Sequence, residues 1–283
     1  MKRHIKGELI TKVIMYAFLI VLFCIVIYPF AYALFASFKT QREVMVSSEM
    51  LPEKFQISNY VYAWNASNFS LYTWNSIWYS GLNVIISVVT SAMAGYVFSR
   101  GKFRGKKFIF AMFTSLMFVT LGTSSLYPQL QILKALHLNT SLWGLVVKHV
   151  FAVPITNIFL VRGFVDSLPK ELDEAAAIDG CGFTSTFFRI LLPLLKPILA
   201  TVGIFSFTSS WNDYLLPMIV TLNNPLQRTL PVGMIALKGS SEAATAWNLI
   251  LAGSMISAIP MIIVFLIFNK YFIKGLTAGA VKG

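Results

Sequence analysis

The sequence predicts an all-α integral membrane protein with six transmembrane helices and both termini in the cytoplasm. Three observations lead to this fold class: the composition, the spacing of the charges, and the loops in which the basic residues fall. Of the 283 residues, 57% are hydrophobic and only 12% are charged, against roughly 45–50% and 25% in soluble domains. A soluble protein of this length needs more surface charge, so we expect helices that cross a membrane.

The spans follow from stretches without charge, because a helix needs roughly 20 apolar residues to cross the hydrocarbon core. Four such stretches carry no charge at all, and two further ones contain Lys148 with His149, or Asp213. Together they predict a single transmembrane domain over residues 1–283, with spans near 13–35, 75–98, 108–130, 142–162, 198–220 and 247–269.

The segments around these spans complete the predicted layout. The polar stretch before residue 75 is expected to be an extramembrane loop, because it is rich in Asn, Tyr and Trp. Pro154 and Pro217 are expected to kink spans four and five, since an internal proline removes a helical hydrogen bond.

The basic residues give the orientation. Sixteen of the 23 fall on one side, in the N-terminus, the loop 100–107, the loop 163–196 with the adjoining Arg162, and the tail 270–283. Because cytoplasmic loops of membrane proteins carry the excess of Lys and Arg, this side is predicted to be the cytoplasm. The net charge of +12 therefore records topology. Loops this short cannot form the folded basic face that a nucleic-acid partner needs.

The loop 163–196, between spans four and five, is too long for a simple turn. Pro169 suits the first turn of a helix, and acidic residues follow at the positive end of the helix dipole. Gly180 is expected to end this helix in a left-handed cap, and a second short helix should run up to Pro193. The shallow face of Leu172, Ala175 and Ala176 suits docking into a groove of a partner protein. The alternative is a helix lying on the lipid surface.

The same loop resembles a known family. Its residues match every defined position of the EAA motif of permease subunits of binding-protein-dependent ABC importers. The matching residues are Glu174-Ala175-Ala176, then Gly180 after three residues, Ile190 after nine more, and Leu192-Pro193 after one more. The span pattern, the stretch Trp211-Asn212-Asp213 and the tail from Lys274 resemble carbohydrate permeases of the maltose type, and within these the shorter, six-span partner.

The resemblance implies a mechanism and a set of partners. The helix of the EAA motif would be the coupling helix, with Glu174 as polar contact to an ATPase, Ala175 and Ala176 as close-packed contacts, and Gly180 as corner. Ile190, Leu192 and Pro193 would tie the loop to span five. The partners would be a second permease, two cytoplasmic ATPase subunits that hold ATP and Mg, and an extracellular or periplasmic binding protein. Membrane lipid and a carbohydrate substrate would complete the system, located in the bacterial cytoplasmic membrane.

The spans themselves contain three candidate pathway-lining residues: Trp211, Asn212 and Asp213. An ionisable residue inside a span is a functional candidate, although Asp213 has the alternative of being wetted or paired within the bundle. Trp211 suits stacking on a sugar ring, with plain packing as the alternative. Lys148 suits snorkelling to the outer surface, with a pore role as the alternative.

Rival functions are a secondary transporter or channel, an intramembrane enzyme, and an ABC permease for a non-sugar solute. The sequence holds no phosphate-binding loop of the G-x-x-x-x-G-K-[ST] type, so no cofactor is expected in this chain and ATP should bind to another one. The three histidines are scattered and form no metal-ligand set, which argues against an enzyme. Few buried charges and no internal repeat argue against a secondary transporter.

Overall fold

The computed structural model describes residues 2–65, 68–119, 122–234 and 246–280, with side chains described for 11–65, 68–119, 122–234 and 246–270. Within these ranges the chain forms helices and turns and no strand, which confirms the all-α prediction. The chain divides into two compact units, one of residues 1–69 and 234–258 and the other of residues 70–233 and 259–283.

The first unit begins with a long apolar helix, α1 (Lys2–Ala36). Its segment Thr11–Ala36 has a mean hydropathy of 2.7, and residues 11–30 are all exposed in this chain, as expected of a helix surrounded by lipid. The predicted span 13–35 lies inside this segment.

Two short helices follow in the stretch before residue 75, which was predicted as a loop. α2 (Gln41–Val46) begins with a capping box between Thr40 and Glu43, and α3 (Ser58–Asn65) lies beyond it. The side chain of Asn59 in α3 donates hydrogen bonds to the carbonyls of Ser37 (2.8 Å) and Lys39 (2.9 Å). Buried amide and carbonyl groups are thereby paired, and this stretch is an ordered part of the unit.

The second unit is built around α4 (Phe69–Arg100). Where one continuous span was predicted over 108–130, the chain forms α5 (Lys106–Leu116) and α6 (Leu126–Ala135). A 3₁₀ turn at Gly122–Ser125 immediately precedes α6.

The predicted span 142–162 is a bent pair, α7 (Leu142–Phe151) and α8 (Ile155–Ser167), with 43° between the two helices. Pro154 lies at the break, as predicted. The loop that follows contains α9 (Glu171–Ile178) and α10 (Phe183–Thr186). A π-helical turn at Phe187–Leu191 and α11 (Leu192–Leu194) complete it.

The predicted span 198–220 consists of α12 (Lys196–Trp211) and α13 (Leu215–Val220). The interruption lies at residues 212–214, and Pro217 lies in the first turn of α13, where its missing N–H costs no helical hydrogen bond. The expected kink is therefore placed wrongly by a few residues. The remaining helices are α14 (Leu230–Gly233) and α15 (Trp247–Ala280).

Three helices in the described residues are long and apolar enough to cross a membrane: Thr11–Ala36, Phe69–Arg100 and Trp247–Lys270. Two bent pairs raise this number to five if each is one span, namely α7 with α8, and Phe183–Leu194 with α12. The count of six and the cytoplasmic termini stay predictions.

The core of the second unit packs α4, α8 and α12 together. Gly95 in α4 allows a close approach, because a Cβ atom built there would lie 2.6 Å from Cγ1 of Val161 in α8. The buried side chains of this cluster are Ala92, Tyr96, Val161, Phe164, Val165, Phe187, Leu191, Leu195, Ile198 and Val202. The loop 163–196 is thus packed onto the same three helices through its Phe187 and Leu191.

Candidate functional site

The acidic helix α9 begins two residues after Pro169, slightly later than predicted. Glu171, Asp173 and Glu174 lie in its first turn, where their charges interact favourably with the helix dipole. The chain then turns sharply at Gly180, whose φ of +77° is in the left-handed region. The Cys181 N–H donates to the carbonyl of Ala176 (2.8 Å), the bond expected of a glycine-capped helix end.

The exposed face of α9 differs from the predicted one. Ala176 is 1% exposed, so it packs inside this chain. Glu174 and Ala175 are exposed, and Ile178 at the end of the helix is 87% exposed. A surface for another protein would therefore consist of Glu174, Ala175 and Ile178, whereas Ala176 anchors the helix.

The other motif residues lie where the loop meets α12. Ile190 and Leu192 are half-buried, and Leu192 packs against the core cluster. Pro193 is exposed and does not end the second helix as expected, since the segment runs on to Leu194 and bends by 78° into α12. The π turn immediately before Pro193 is a helical irregularity of the kind that accompanies such bends.

A polar cluster attaches α9 to the end of α4. Nε of Arg100 lies 2.8 Å from the Asp173 carboxylate, and Nη2 of Arg100 donates to the carbonyl of Leu168 (2.8 Å). The arginine thereby bridges α4, the chain before α9, and α9 itself. We call Arg100, Asp173 and the Leu168 carbonyl the α9 bridge.

The ends of α4, α5 and α8 are joined beside the α9 bridge. Ser99 donates to the Asp166 carboxylate (2.5 Å), and Arg162 pairs with Asp166 at 3.4 Å while its guanidinium lies 3.7 Å from the ring centre of Phe110. Lys106 donates to the carbonyl of Ser99 (2.7 Å). Partial burial and the neighbouring Arg162 charge lower the pKa of Lys106. The basic residues that indicated topology thus also hold the loop in place.

Tyr96 provides a second attachment, on the far side of the glycine corner. Its hydroxyl donates to the carbonyl of Phe183 (3.1 Å). Its ring stacks on Phe183 and Phe187, with centroid distances of 4.4 and 5.1 Å. Both halves of the loop therefore contact the last turns of α4.

The side chains of the three candidate pathway residues have different environments. Trp211 is 2% exposed and stacks on Phe207, so it serves packing. Asn212 is exposed and donates to the Thr208 carbonyl of its own helix (2.9 Å). Asp213 accepts a hydrogen bond from the Tyr79 hydroxyl in α4 (3.1 Å). This is the paired arrangement considered above.

Lys148, for which snorkelling and a pore role stay open, contacts a neighbouring helix of this unit. It is half-buried in α7, and its ammonium donates to the Gln129 side chain in α6 (3.2 Å).

Two features escaped the sequence reasoning. The pairing of Arg100 with Asp173 joins positions far apart in the sequence, and opposite charge was the only signal for it. The second is a cavity of about 420 Å³ whose wall contains Ser and Asn residues of α4, α8 and α12 among apolar ones; uncharged Ser and Asn residues leave no signal in the charge pattern of a span.

Comparison with known proteins gives a consistent result. The family model described as "binding-protein-dependent transport system inner membrane component" matches residues 87–278. The chain is 35% identical to the probable ABC transporter permease protein YurM of Bacillus subtilis, over 98% of this chain and 89% of that protein. It is 33% identical to the arabinooligosaccharides transport system permease protein AraQ of Halalkalibacterium halodurans, with 92% of both chains covered.

A third relative and a solved structure agree with these matches. The melibiose/raffinose/stachyose import permease protein MelC of Bacillus subtilis is 33% identical, over 90% of this chain and 91% of that protein. The crystal structure of a bacterial ABC transporter involved in the import of the acidic polysaccharide alginate superposes with a TM-score of 0.80 at 23% identity. This superposition covers 94% of this chain and 98% of that one, and the likeness concerns the fold.

Proposed function

We propose that this chain, which belongs to the family of inner membrane components of binding-protein-dependent transport systems, forms half of a carbohydrate pathway in an ABC importer. The family membership confirms the resemblance drawn from residues 174–193, and it makes the chain a transport component rather than an enzyme. The other half of the pathway is a second permease. Energy comes from two cytoplasmic ATPase subunits, which hold ATP and Mg.

The proposed topology has six spans, with both termini and the loop 163–196 in the cytoplasm of a bacterial cell. The excess of basic residues on that side supports this orientation. The regions of α5, the 3₁₀ turn and α6 together form the third crossing in this proposal. The tail 270–283 extends toward the ATPase subunits.

The proposed substrate is an oligosaccharide delivered by an extracellular or periplasmic binding protein. The support is the names of relatives, two of which are permeases for arabinooligosaccharides and for melibiose, raffinose and stachyose. A non-sugar solute is the alternative within the same family. The outward segment 221–246 is a candidate contact for the binding protein, although residues 235–245 lie outside the described residues.

One observation carries the proposed coupling: α9 presents Glu174, Ala175 and Ile178 outward while the α9 bridge fixes it to α4. An exposed apolar tip beside a carboxylate suits insertion into a groove of an ATPase subunit. A displacement of that groove would reach α4 through Arg100 and through Tyr96. It would reach α12 through Ile190, Leu192 and the bend after Pro193. The two inner ends of the pathway would then move with the ATPase pair, giving alternating access.

The test uses two loop variants in the complete transporter. Glu174→Lys reverses the charge of the exposed tip, and Gly180→Asp places a side chain at φ +77°, where a non-glycine residue costs about 1–2 kcal/mol. We expect both to abolish sugar uptake while the complex still assembles in the membrane. The matched control is Glu171→Lys, which reverses an exposed acid in the same first turn and should keep most uptake.

Normal uptake by both loop variants would refute the coupling role of α9. A second measurement addresses the division of labour. The purified chain, proven free of ATPase subunits, should hydrolyse no ATP, and hydrolysis in that preparation would contradict the proposal.

A further inference from the structure

Three helices of the second unit direct polar side chains toward one cavity. Ser87 of α4, Asn157 of α8 and Ser206 of α12 form a closed triangle of hydrogen bonds. The Asn157 amide donates to Ser87 Oγ (2.9 Å) and to Ser206 Oγ (3.1 Å), and the two hydroxyls lie 2.8 Å apart. All three residues line the cavity of about 420 Å³, a volume within the roughly 300–1,000 Å³ of small-molecule sites.

Asn83 supplies an independent indication of a ligand. It lies one turn before Ser87 on α4, is 1% exposed and lines the same cavity. Although it lies beside the Tyr79 hydroxyl, neither its amide nitrogen nor its amide oxygen makes a hydrogen bond of normal geometry to the described residues. A buried amide left unpaired costs about 1–3 kcal/mol, a cost that a ligand in the cavity would remove by hydrogen bonding to it.

The chemistry of the cavity wall selects the ligand class. Hydroxyl and amide groups from Asn83, Ser87, Asn157, Ser206, Ser209 and Ser210 both donate and accept hydrogen bonds. Among the described residues that line the cavity there is no Lys, Arg, Asp or Glu, and His149 is the one ionisable residue. Nδ1 of His149 is paired with the Leu145 carbonyl of its own helix (3.0 Å), so the wall presents no acidic group for a cation and no permanent cation for an anion. Phe205, which is 37% exposed, adds an aromatic surface of the kind that stacks on the apolar face of a sugar ring.

We propose that this cavity is a binding subsite on this chain for one neutral sugar ring, held by hydrogen bonds from Asn83, Asn157 and Ser206. The inference rests on the proposed function and deepens it, because it gives this permease its own contact with the substrate. The site differs from the stretch 211–213 considered above. The other possible occupant is a polar side chain of the second permease, since such groups also join helices within membranes.

The first experiment asks what occupies the cavity. Ser209, exposed on the cavity wall, is replaced by Cys in a Cys24→Ala, Cys181→Ser background that retains uptake. Membrane vesicles with the complete transporter are treated with a charged methanethiosulfonate reagent. The treatment is repeated with ATP and the binding protein loaded with raffinose or arabinotriose, whichever the wild type imports. The matched control is Ile85→Cys, which places the thiol on an exposed apolar position of α4.

We expect Ser209→Cys to be labelled without sugar and labelled at least fivefold more slowly during sugar transport, while Ile85→Cys stays unlabelled in both conditions. A Ser209→Cys thiol out of reach in every condition would mean that the second permease fills the cavity. Labelling at one unchanged rate would mean that water fills it and no sugar enters. Either outcome overturns the proposal.

The second experiment separates binding from structure. Asn83→Leu replaces the unpaired amide by an apolar side chain of the same branching, and the adjoining cavity leaves room for its larger volume. A purely structural asparagine therefore predicts unchanged or higher thermal stability and normal uptake. A sugar contact predicts that uptake at saturating sugar falls about tenfold, while ATP hydrolysis stimulated by the loaded binding protein changes less than twofold. Asn157→Ala, if it folds, should show the same loss of uptake with nearly unchanged stimulated ATP hydrolysis. The matched control is Ser91→Ala, a buried α4 hydroxyl without a hydrogen-bond partner outside the cavity wall, which should keep wild-type uptake.

The two proposals fail in different ways. If the wild-type transporter imports none of the sugars in an ATP-dependent manner, the proposed function is wrong. If it imports one of them and Asn83→Leu imports it equally well, the proposed function stands and the subsite is wrong.

Discussion

Removal of the Arg100 side chain should release the acidic helix α9 from the membrane spans. Arg100 makes two charge-assisted contacts, with the Asp173 carboxylate and with the Leu168 carbonyl, both at 2.8 Å. The hydrogen bond from the charged guanidinium to the Leu168 carbonyl contributes about 1.5–3 kcal/mol, and the ion pair with Asp173 adds up to about 1 kcal/mol. The Asp173 side chain is 27% exposed and that of Arg100 10%, so solvent screening reduces the sum. We expect Arg100→Ala to lower the free energy of opening α9 by about 2–3 kcal/mol.

This free energy sets the size of the measurable effect. Because each 1.4 kcal/mol is a factor of ten, the open state of α9 should become about 30- to 140-fold more populated. Amide hydrogen exchange reports such local opening directly. In the complete transporter in nanodiscs, a peptide covering residues 171–178 should exchange faster by that factor. Sugar uptake should fall while ATP hydrolysis continues, since the ATPase would move α9 without moving α4.

A matched control and a double variant sharpen the test. Arg104→Ala removes an exposed arginine from the turn between α4 and α5 and should leave exchange and uptake unchanged. Asp173→Ala combined with Arg100→Ala should cost less than the sum of the single effects, because both remove the same contact. Exchange of residues 171–178 at the wild-type rate in Arg100→Ala would refute the idea that the α9 bridge holds the helix.

Three further outcomes follow from the packing and the caps. Gly95→Val should abolish stable assembly, because even a Cβ atom there would lie 2.6 Å from Cγ1 of Val161. Loss of the monodisperse peak in size-exclusion chromatography would show this, and an unchanged profile would contradict the close contact between α4 and α8. Tyr96→Phe keeps the ring and loses the hydrogen bond to the Phe183 carbonyl, so the free energy of unfolding should fall by about 1 kcal/mol. Sugar uptake should fall with it. An unchanged unfolding temperature would show that this hydrogen bond does not stabilise the loop. Hydrogen bonds from the Thr40 and Glu53 backbone N–H groups lower the pKa of Glu43. The cap of α2 should therefore be fully formed above the ordinary glutamate pKa and be lost as the pH falls through the lowered value. Amide exchange of residues 41–46 as a function of pH checks this, and Glu43→Gln should remove the pH dependence.

Local sequence rules predicted the features that depend on neighbouring residues. The end of α9 at Gly180 followed from a left-handed cap, and the break at Pro154 followed from a missing N–H. The wrong placements arose where packing decides between similar local options. The interruption of the fifth span lies at residues 212–214, where the Asp213 carboxylate meets Tyr79 of α4, and no property of Pro217 indicates this.

The candidate site was predictable in outline and not in detail. The EAA residues gave the position of α9, the exposed Glu174 and the corner at Gly180. The burial of Ala176 could not be predicted, because spacing along a helix shows which residues share a face and leaves open which partner that face meets. The α9 bridge and the cavity triangle both need the folded arrangement, since their members come from helices separated by dozens of residues.

The close contact at Gly95 restricts how the spans can move. A gap too small for one methyl group at the crossing of α4 and α8 leaves no room for either helix to roll about its axis against the other. The inner parts of α4 and α8 should therefore travel as one rigid block. Bending is then confined to the existing breaks, at residues 152–154 on one side of the block and at Leu195 on the other.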